Sequence, residues 1–368
     1  MYIHGWSYLL YERAILSVKG SDPLGRRKMA RNHEITEKHL LLDAQGELVE
    51  PGWSRRPVQI YERKMIKAPK WRIKEWDYYL VMGQGFAGAL TISDDGYIGL
   101  QSVSLLKLDD MPWEHTETVL NTFPMGRLRL PESSERGATK YHDKRLNMKF
   151  NAVNGKRRIT CRFENFCEGK PFTCDITLEQ PDMESMVIAT PWDKKHAFYY
   201  NQKINTMRAS GYMEFNGKKY IFNPETDFGT LDWGRGVWTY DNTWLWGSGN
   251  ADIDGKSFGF NIGYGFGNTE AATENAIFYD GKVHKLDDVE FHIPENIMDA
   301  WTFTSSDGRF EMEFTPVLDR AANIDFKVLV SDQHQVFGKM TGKAVLDDGT
   351  VIEVKDMMCF AEKVHNKY

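Results

Sequence analysis

Apolar and polar residues alternate along much of this chain, and Asn-Gly or Asp-Gly pairs interrupt the alternation at intervals. Residues 173–180 switch regularly between the two classes until Pro181 ends the run. A period of two marks a strand with one buried face, and a proline halts its hydrogen-bond ladder. Asn154-Gly155 lies between two such runs, 147–153 and 157–163, and predicts a two-residue type I′ hairpin. Asn216-Gly217, Asp254-Gly255, Asp280-Gly281, Asp307-Gly308 and Asp348-Gly349 repeat the signal. Residues 76–108 read as three strands joined by glycine turns, and residues 40–49 as a small hairpin around Gln45-Gly46. Helical spacing is confined to short pieces near 111–121 and 270–276. Residues 132–143 are polar and read as a surface loop.

Two stretches share a plan. Residues 198–233 hold an aromatic run, Lys203, Asn216-Gly217 and Phe228-Gly229; residues 334–365 hold Phe337, Lys339, Asp348-Gly349 and Phe360-Ala361. Self-similarity over so long a period suggests two copies of one β unit. The expected fold is all-β, with a first domain at 29–195 and a second at 196–368. Residues 1–28 share no pattern with the rest and read as a tail, with Met29 a possible start. Regular hairpins suit barrels or sandwiches.

Composition narrows the function classes. A formal net charge of −6 gives no general attraction to nucleic acid or an anionic membrane. No run of 18 apolar residues is present to span a bilayer. Cys161, Cys167, Cys174 and Cys359 have neither zinc-site nor disulfide-framework spacing, and read as reduced thiols of a cytoplasmic protein. Lys67, Lys70, Arg72 and Lys74 interleave with Trp71 and Trp76. Against the acidic total, this reads as the lip of a pocket or a solvated strand face, not a nucleic-acid site. Gly83-Gln-Gly85-Phe-Ala-Gly88 imitates a dinucleotide fingerprint, but a strand follows it where a helix is required. The chain has no Gly-x-Ser-x-Gly elbow, no P-loop and no clustered histidines, so no metal or cofactor is expected.

The chemistry-bearing residues concentrate at 225–264. Trp233, Trp238, Trp244 and Trp246 share this stretch with Asp227, Asp232, Arg235 and Asp241. Flat apolar rings beside a few charges suit a pocket wall, and equally a packed sheet with ion pairs at its rim. A carboxyl at Asp232, between Leu231 and Trp233, is a candidate acid near neutrality if the wall desolvates it. An ion pair with Arg235 would instead make it structural. His334 is a candidate proton relay to Asp232, or a hydrogen-bonded structural residue. Lys203 is a candidate ligand anchor or a solvated lysine. Trp76, Trp233, Arg235, Trp244, Trp246 and Tyr264 complete the candidate ligand set. Glu274 and Asn275 fit a loop at a barrel mouth, with nothing in the sequence to favour them.

Residues 29–368 resemble the bacterial family called domain of unknown function 2804. The stretches that carry the resemblance are 67–79, 178–181, 198–203, 231–238, 258–266 and 331–335. More distantly, Asp232-Trp-Gly234 followed by Trp244-x-Trp246 is similar to a motif of the AttH-like group, which includes carotenoid 1,2-hydratases. That similarity implies two consecutive lipocalin-like antiparallel β-barrels. It also implies that Asp232 would inherit the role of protonating an isoprenoid alkene. Three readings follow. One is acid-assisted hydration, cyclisation or isomerisation of an apolar small molecule, and another is a lipocalin-like carrier of the same ligand. The third is a carbohydrate site. No protein partner is implied.

Overall fold

In a computed structural model, residues 31–325 and 330–367 are described. The expected tail at 1–28 lies outside the described residues. The fold is all-β, as the alternation predicted. Three short strands come first, β1 (His39–Leu40), β2 (Gly52–Ser54) and β3 (Gln59–Ile60). A meander follows, β4 (Ile73–Gly83), β5 (Phe86–Asp94), β6 (Ile98–Lys107) and β7 (Trp113–Thr122). A second meander is β8 (Gly137–His142), β9 (Leu146–Val153), β10 (Lys156–Cys167) and β11 (Lys170–Glu179). Then come β12 (Met186–Pro191), β13 (Phe198–Phe215), β14 (Lys218–Phe222) and β15 (Phe228–Val237). The remaining strands are β16 (Asp241–Ile253), β17 (Lys256–Tyr264), β18 (Ala276–Tyr279), β19 (Lys282–Lys285) and β20 (Val289–His292). They continue with β21 (Trp301–Ser305), β22 (Phe310–Asp325), β23 (Val330–Val345) and β24 (Val351–Lys367).

Among the described residues, two large curled antiparallel sheets result, beside a small parallel pair of β1 and β3. In the first, β13 and β15 join the two meanders, in the order β7-β6-β5-β4-β15-β13-β11-β10-β9-β8. The second runs β19-β18-β17-β16-β24-β23-β22-β21-β20. The chain therefore changes sheet between Val237 and Asp241, later than the expected division at 195/196. Residues 198–237 look like the start of a second copy because they contain long aromatic strands. Their position in space is the middle of the first sheet.

The turn chemistry is largely as predicted. Asn154-Gly155, Asn216-Gly217, Asp254-Gly255 and Asp280-Gly281 have positive φ at both residues, as a type I′ hairpin requires. At 307–308 and 348–349 only the glycine does. There longer connections, 306–309 and 346–350, close with Gly308 N–H donating to Ser305 O, and Gly349 N–H to Leu346 O. Two expectations fail. Residues 113–122 form an edge strand whose mostly half-exposed residues dilute the period-two signal, and 270–275 is irregular, not helical, with Ala276 opening β18. Residues 137–142 form β8 instead of a loop, with Thr139 and Tyr141 turned inward. The basic stretch divides: Lys67 and Lys70 are exposed, whereas Lys74 is buried and donates to Asp95 O at 2.8 Å.

Alternation along the strands creates three cores. One fills the first sheet, with Leu231, Trp233, Phe163 and Phe172 among its members. A second fills the second sheet around Phe260, Trp301 and Phe314. The third lies between the sheets, where Tyr78, Leu80 and Tyr199 of the first meet Trp246, Phe337 and Phe360 of the second. The four cysteines are unpaired. No helix among the described residues is long and apolar enough to cross a membrane.

Candidate functional site

The seam between the sheets gathers most of the chemistry. Lys203 on β13 is the cross-strand neighbour of Asp232 on β15, which is the neighbour of Tyr78 on β4. The three form a row on the outer face of the first sheet, pointing at the second. Two residues before Lys203 and four before it, Asn201 and Tyr199 share its face. Opposite them stand Trp244 and Trp246 of β16, with Phe266 and Glu274 from the irregular connection after β17. That connection is held by hydrogen bonds to its own side chains and to Asn32. Asn275 Oδ1 accepts from Gly263 N–H at 2.7 Å, and Thr273 N–H donates to Asn32 Oδ1 at 3.0 Å.

Lys203 is 1% exposed. Its ammonium lies 3.0 Å from Asp232 Oδ1, 3.5 Å from Glu274 Oε1 and 4.0 Å from the centre of the Trp246 ring. A buried ammonium is stable only with such partners. Asn201 Nδ2 donates to Asp232 Oδ1 at 2.6 Å. Asp232 thus receives an ammonium and an amide, the partners of a carboxylate. Glu274 is different. Burial pushes its carboxyl up to about 7, and the neighbouring Lys203 ammonium only partly opposes this. Its Oε1 accepts from the Tyr199 hydroxyl at 3.5 Å, and its Oε2 is buried without a partner.

A second carboxyl closes the far side. Burial raises Glu362 on β24, against hydrogen bonds from Trp244 Nε1 and Gln335 Nε2, both at 2.9 Å. Burial likewise pushes the Tyr78 phenol up to about 12, so it stays a neutral donor and acceptor. Rings roof the whole group. Tyr199 stacks on Phe266 at 5.1 Å and on Trp76 at 6.3 Å. Trp238 meets Trp76 and Trp244 edge-on at 5.6 and 5.5 Å, and its own N–H has no partner.

The sequence-predicted set divides along strand faces. Asp232, Lys203, Trp76, Trp244 and Trp246 come together in the seam. Trp233 and Arg235 point the opposite way, into the first sheet's interior. An Asp232–Arg235 ion pair is therefore excluded, because the guanidinium bonds Asp77 at 3.0 Å instead. His334 shares no face with the seam. Its neighbour Gln335 points there, whereas His334 Nδ1 lies 2.6 Å from Asp319 Oδ2, so a relay to Asp232 has no path. Tyr264 is 36% exposed at the end of β17, with its ring on Phe291. Sequence reasoning left Glu274 without support and did not single out Glu362, Tyr78, Tyr199 or Phe266. The spacing of Tyr199, Asn201 and Lys203 on one strand face was an available signal. Glu274 and Glu362 carried none, since only the docking of the sheets brings them in.

Asp232 itself is close-packed, with 10% of its side-chain surface accessible. A cavity of about 420 Å³ opens further along the same seam, lined by Met82, Leu108, Phe228, Met357 and Met358 among others. Asp232 is not part of its wall. On each contributing strand the cavity lies four residues beyond the buried row, a rise of roughly 13 Å. Leu80, Phe337 and Phe360 fill the space between.

The fold is similar to solved structures at low identity. A protein described as AttH from Nitrosomonas europaea is 13% identical, covers 83% of this chain and 97% of its own, and has a TM-score of 0.47. CghA in complex with Sch210972 is 10% identical over 90% and 97%, with a TM-score of 0.48. Kievitone hydratase from Nectria haematococca is 10% identical over 89% and 98%, with a TM-score of 0.47. Among curated proteins none matches. Residues 32–368 match the family model described as Domain of unknown function (DUF2804), and the chain belongs to that family.

Proposed function

We propose that the close-packed seam parts to admit a small, largely apolar molecule and that Glu274 delivers a proton to it, in a hydration, cyclisation or isomerisation. The observation that carries this reading is the state of Glu274. It is fully buried, held near 7, without a donor at Oε2, and within reach of Tyr199 and of Lys203, whose ammonium lies over the Trp246 and Phe266 rings. An acid with that value is about half protonated at neutral pH and can give up its proton there. The aromatic faces stabilise the cationic centre that forms on the substrate. Lys203, 3.5 Å from Oε1, stabilises the carboxylate left behind. Asp232 keeps Lys203 in place. The acid role expected of Asp232 thus passes to its neighbour across the seam.

Native mass spectrometry of the purified protein tests the binding. The expected result is an apolar adduct that Trp246→Ala and Lys203→Met release. Incubating that molecule with fresh protein tests the chemistry: Glu274→Gln should retain binding and lose conversion at least a hundredfold. Equal conversion by Glu274→Gln contradicts the reading.

A carrier without chemistry is favoured by one feature. The methionine-lined cavity suits varied apolar ligands, and its wall contains neither Asp232 nor Glu274. On that reading the adduct leaves chemically unchanged.

A further inference from the structure

His334 takes no part in the seam, and it lines a cavity of its own. Asp332 and His334 on β23, and Lys363 and His365 on β24, alternate with the seam-facing Gln335 and Glu362. They line a hollow of about 400 Å³ with the 293–297 connection opposite. His334 Nδ1 lies 2.6 Å from Asp319 Oδ2, and His365 Nε2 lies 2.8 Å from Asp241 Oδ1. A carboxylate only accepts, so each imidazole donates that proton. When neutral, each keeps its other nitrogen as an acceptor. His334 Nε2 and Asp332 Oδ1 are 3.8 Å apart, too far to bond directly. The buried Oδ1 of Asp319 has no partner.

The chemistry of the walls limits the guest. His334, Asp332 and Glu295 accept, whereas Lys363 donates. Asp332 and Glu295 repel an anion, and Lys363 offsets part of their pull on a cation. No three His, Cys, Asp or Glu side chains among the described residues converge closely enough to hold a metal ion. One wall, Ile293, Pro294 and Ile297, is apolar. A neutral molecule with several hydroxyls on its edge and carbon on one face satisfies all four constraints.

We propose that this hollow binds a small neutral polyhydroxylated ring, a monosaccharide or cyclitol. Its hydroxyls donate to His334 Nε2, Asp332 and Glu295, a ring or hydroxyl oxygen accepts from Lys363, and its C–H face lies on Pro294 and the two isoleucines. The site is independent of the seam.

The test is nitrogen NMR of protein labelled at histidine and tryptophan. D-Glucose, D-galactose, myo-inositol, n-butylammonium and inorganic phosphate are each titrated to 100 mM. The expected result is a saturable millimolar shift of the His334 imidazole with at least one polyol, while the Trp244 indole stays still. In the Asp332→Asn/Lys363→Ala variant, with its fold checked by circular dichroism, the affinity should drop at least fivefold. The proposal is overturned if no polyol shifts His334, if only n-butylammonium or phosphate does, or if the double variant binds as tightly as the parent.

Discussion

One strand, β15, carries two buried charges that live in different worlds. Arg235 points into the first sheet and Asp232 points out of it, three residues away. Arg235 is 0% exposed and ties segments together through its two terminal nitrogens, while its Nε has no hydrogen-bond partner. It donates to Asp77 Oδ1, to Pro131 O and to the backbone oxygens of Trp76 and Gly234, all within 3.0 Å, and its guanidinium stacks 4.1 Å from Trp233. Glu75 beside it is bonded by Tyr61 and Arg63. On the other face, Asp232 and Lys203 are paired, yet Glu274, Asn201 and Gln335 each leave a buried oxygen unmet. Native interiors rarely leave such groups unpaired. The inner face also leaves buried atoms unmet, Arg235 Nε and Trp233 Nε1 among them, so the difference lies in the carboxyls: Asp77 is bound by a guanidinium, whereas Glu274 keeps one oxygen without a donor.

Removing a partner from each face separates the two. Arg235→Ala should have the largest effect, because it removes the ion-pair partner of Asp77 in the interior. A loss of about 3–5 kcal/mol is expected by urea unfolding. A loss below 1 kcal/mol would erase the contrast.

The seam should respond to pH through Glu274. Glu274 is raised in the folded state from the ordinary 4.5 to about 7. Its contribution is complete below pH ~4.5 and is lost as pH rises through ~7. Glu274→Gln removes that loss. The variant should match the parent at pH 4.5 and exceed it at pH 8 by up to roughly 3 kcal/mol. A parent less stable than, or equal to, the variant by the same margin at both pH values would contradict this.

Lys203→Met should cost about 2 kcal/mol, less than a stranded interior pair, since Asp232 keeps Asn201 and Glu274 can hold its proton. Adding Asp232→Asn should recover part of that loss. An additive double variant would show that the pair is not coupled. The smallest effect belongs to Asp319→Asn. Its pair with His334 is 33% exposed on the imidazole side, so it should shift stability by under ~1 kcal/mol in thermal unfolding.

Much of the fold was legible because its signals are local. The period of two and the Asn-Gly and Asp-Gly turns report on neighbouring residues, and the all-β class follows from them. The exchange of sheets at 238–240 was not legible. Whether β13 and β15 extend the first sheet or begin the second is decided by pairing with β4 and β11, far away in sequence. The same limit applies to the site. Asp232, Lys203, Trp244 and Trp246 stood out by type, but an aspartate three residues from an arginine invites an ion pair that strand geometry forbids. Glu274 stood on an irregular connection with no periodic signature, and only the docking of that connection against Lys203 gives it a role.

Protonation of Glu274 is the most direct test of the difference between the two faces. Carbon NMR of protein labelled at the glutamate carboxyl carbon, assigned with Glu274→Gln, gives its midpoint in a titration from pH 4 to 9. A midpoint near 7 that moves higher in Lys203→Met is the predicted result. A midpoint near 4.5, unmoved by the lysine change, would mean that the seam holds an ordinary ion-paired carboxylate and has no acid to offer.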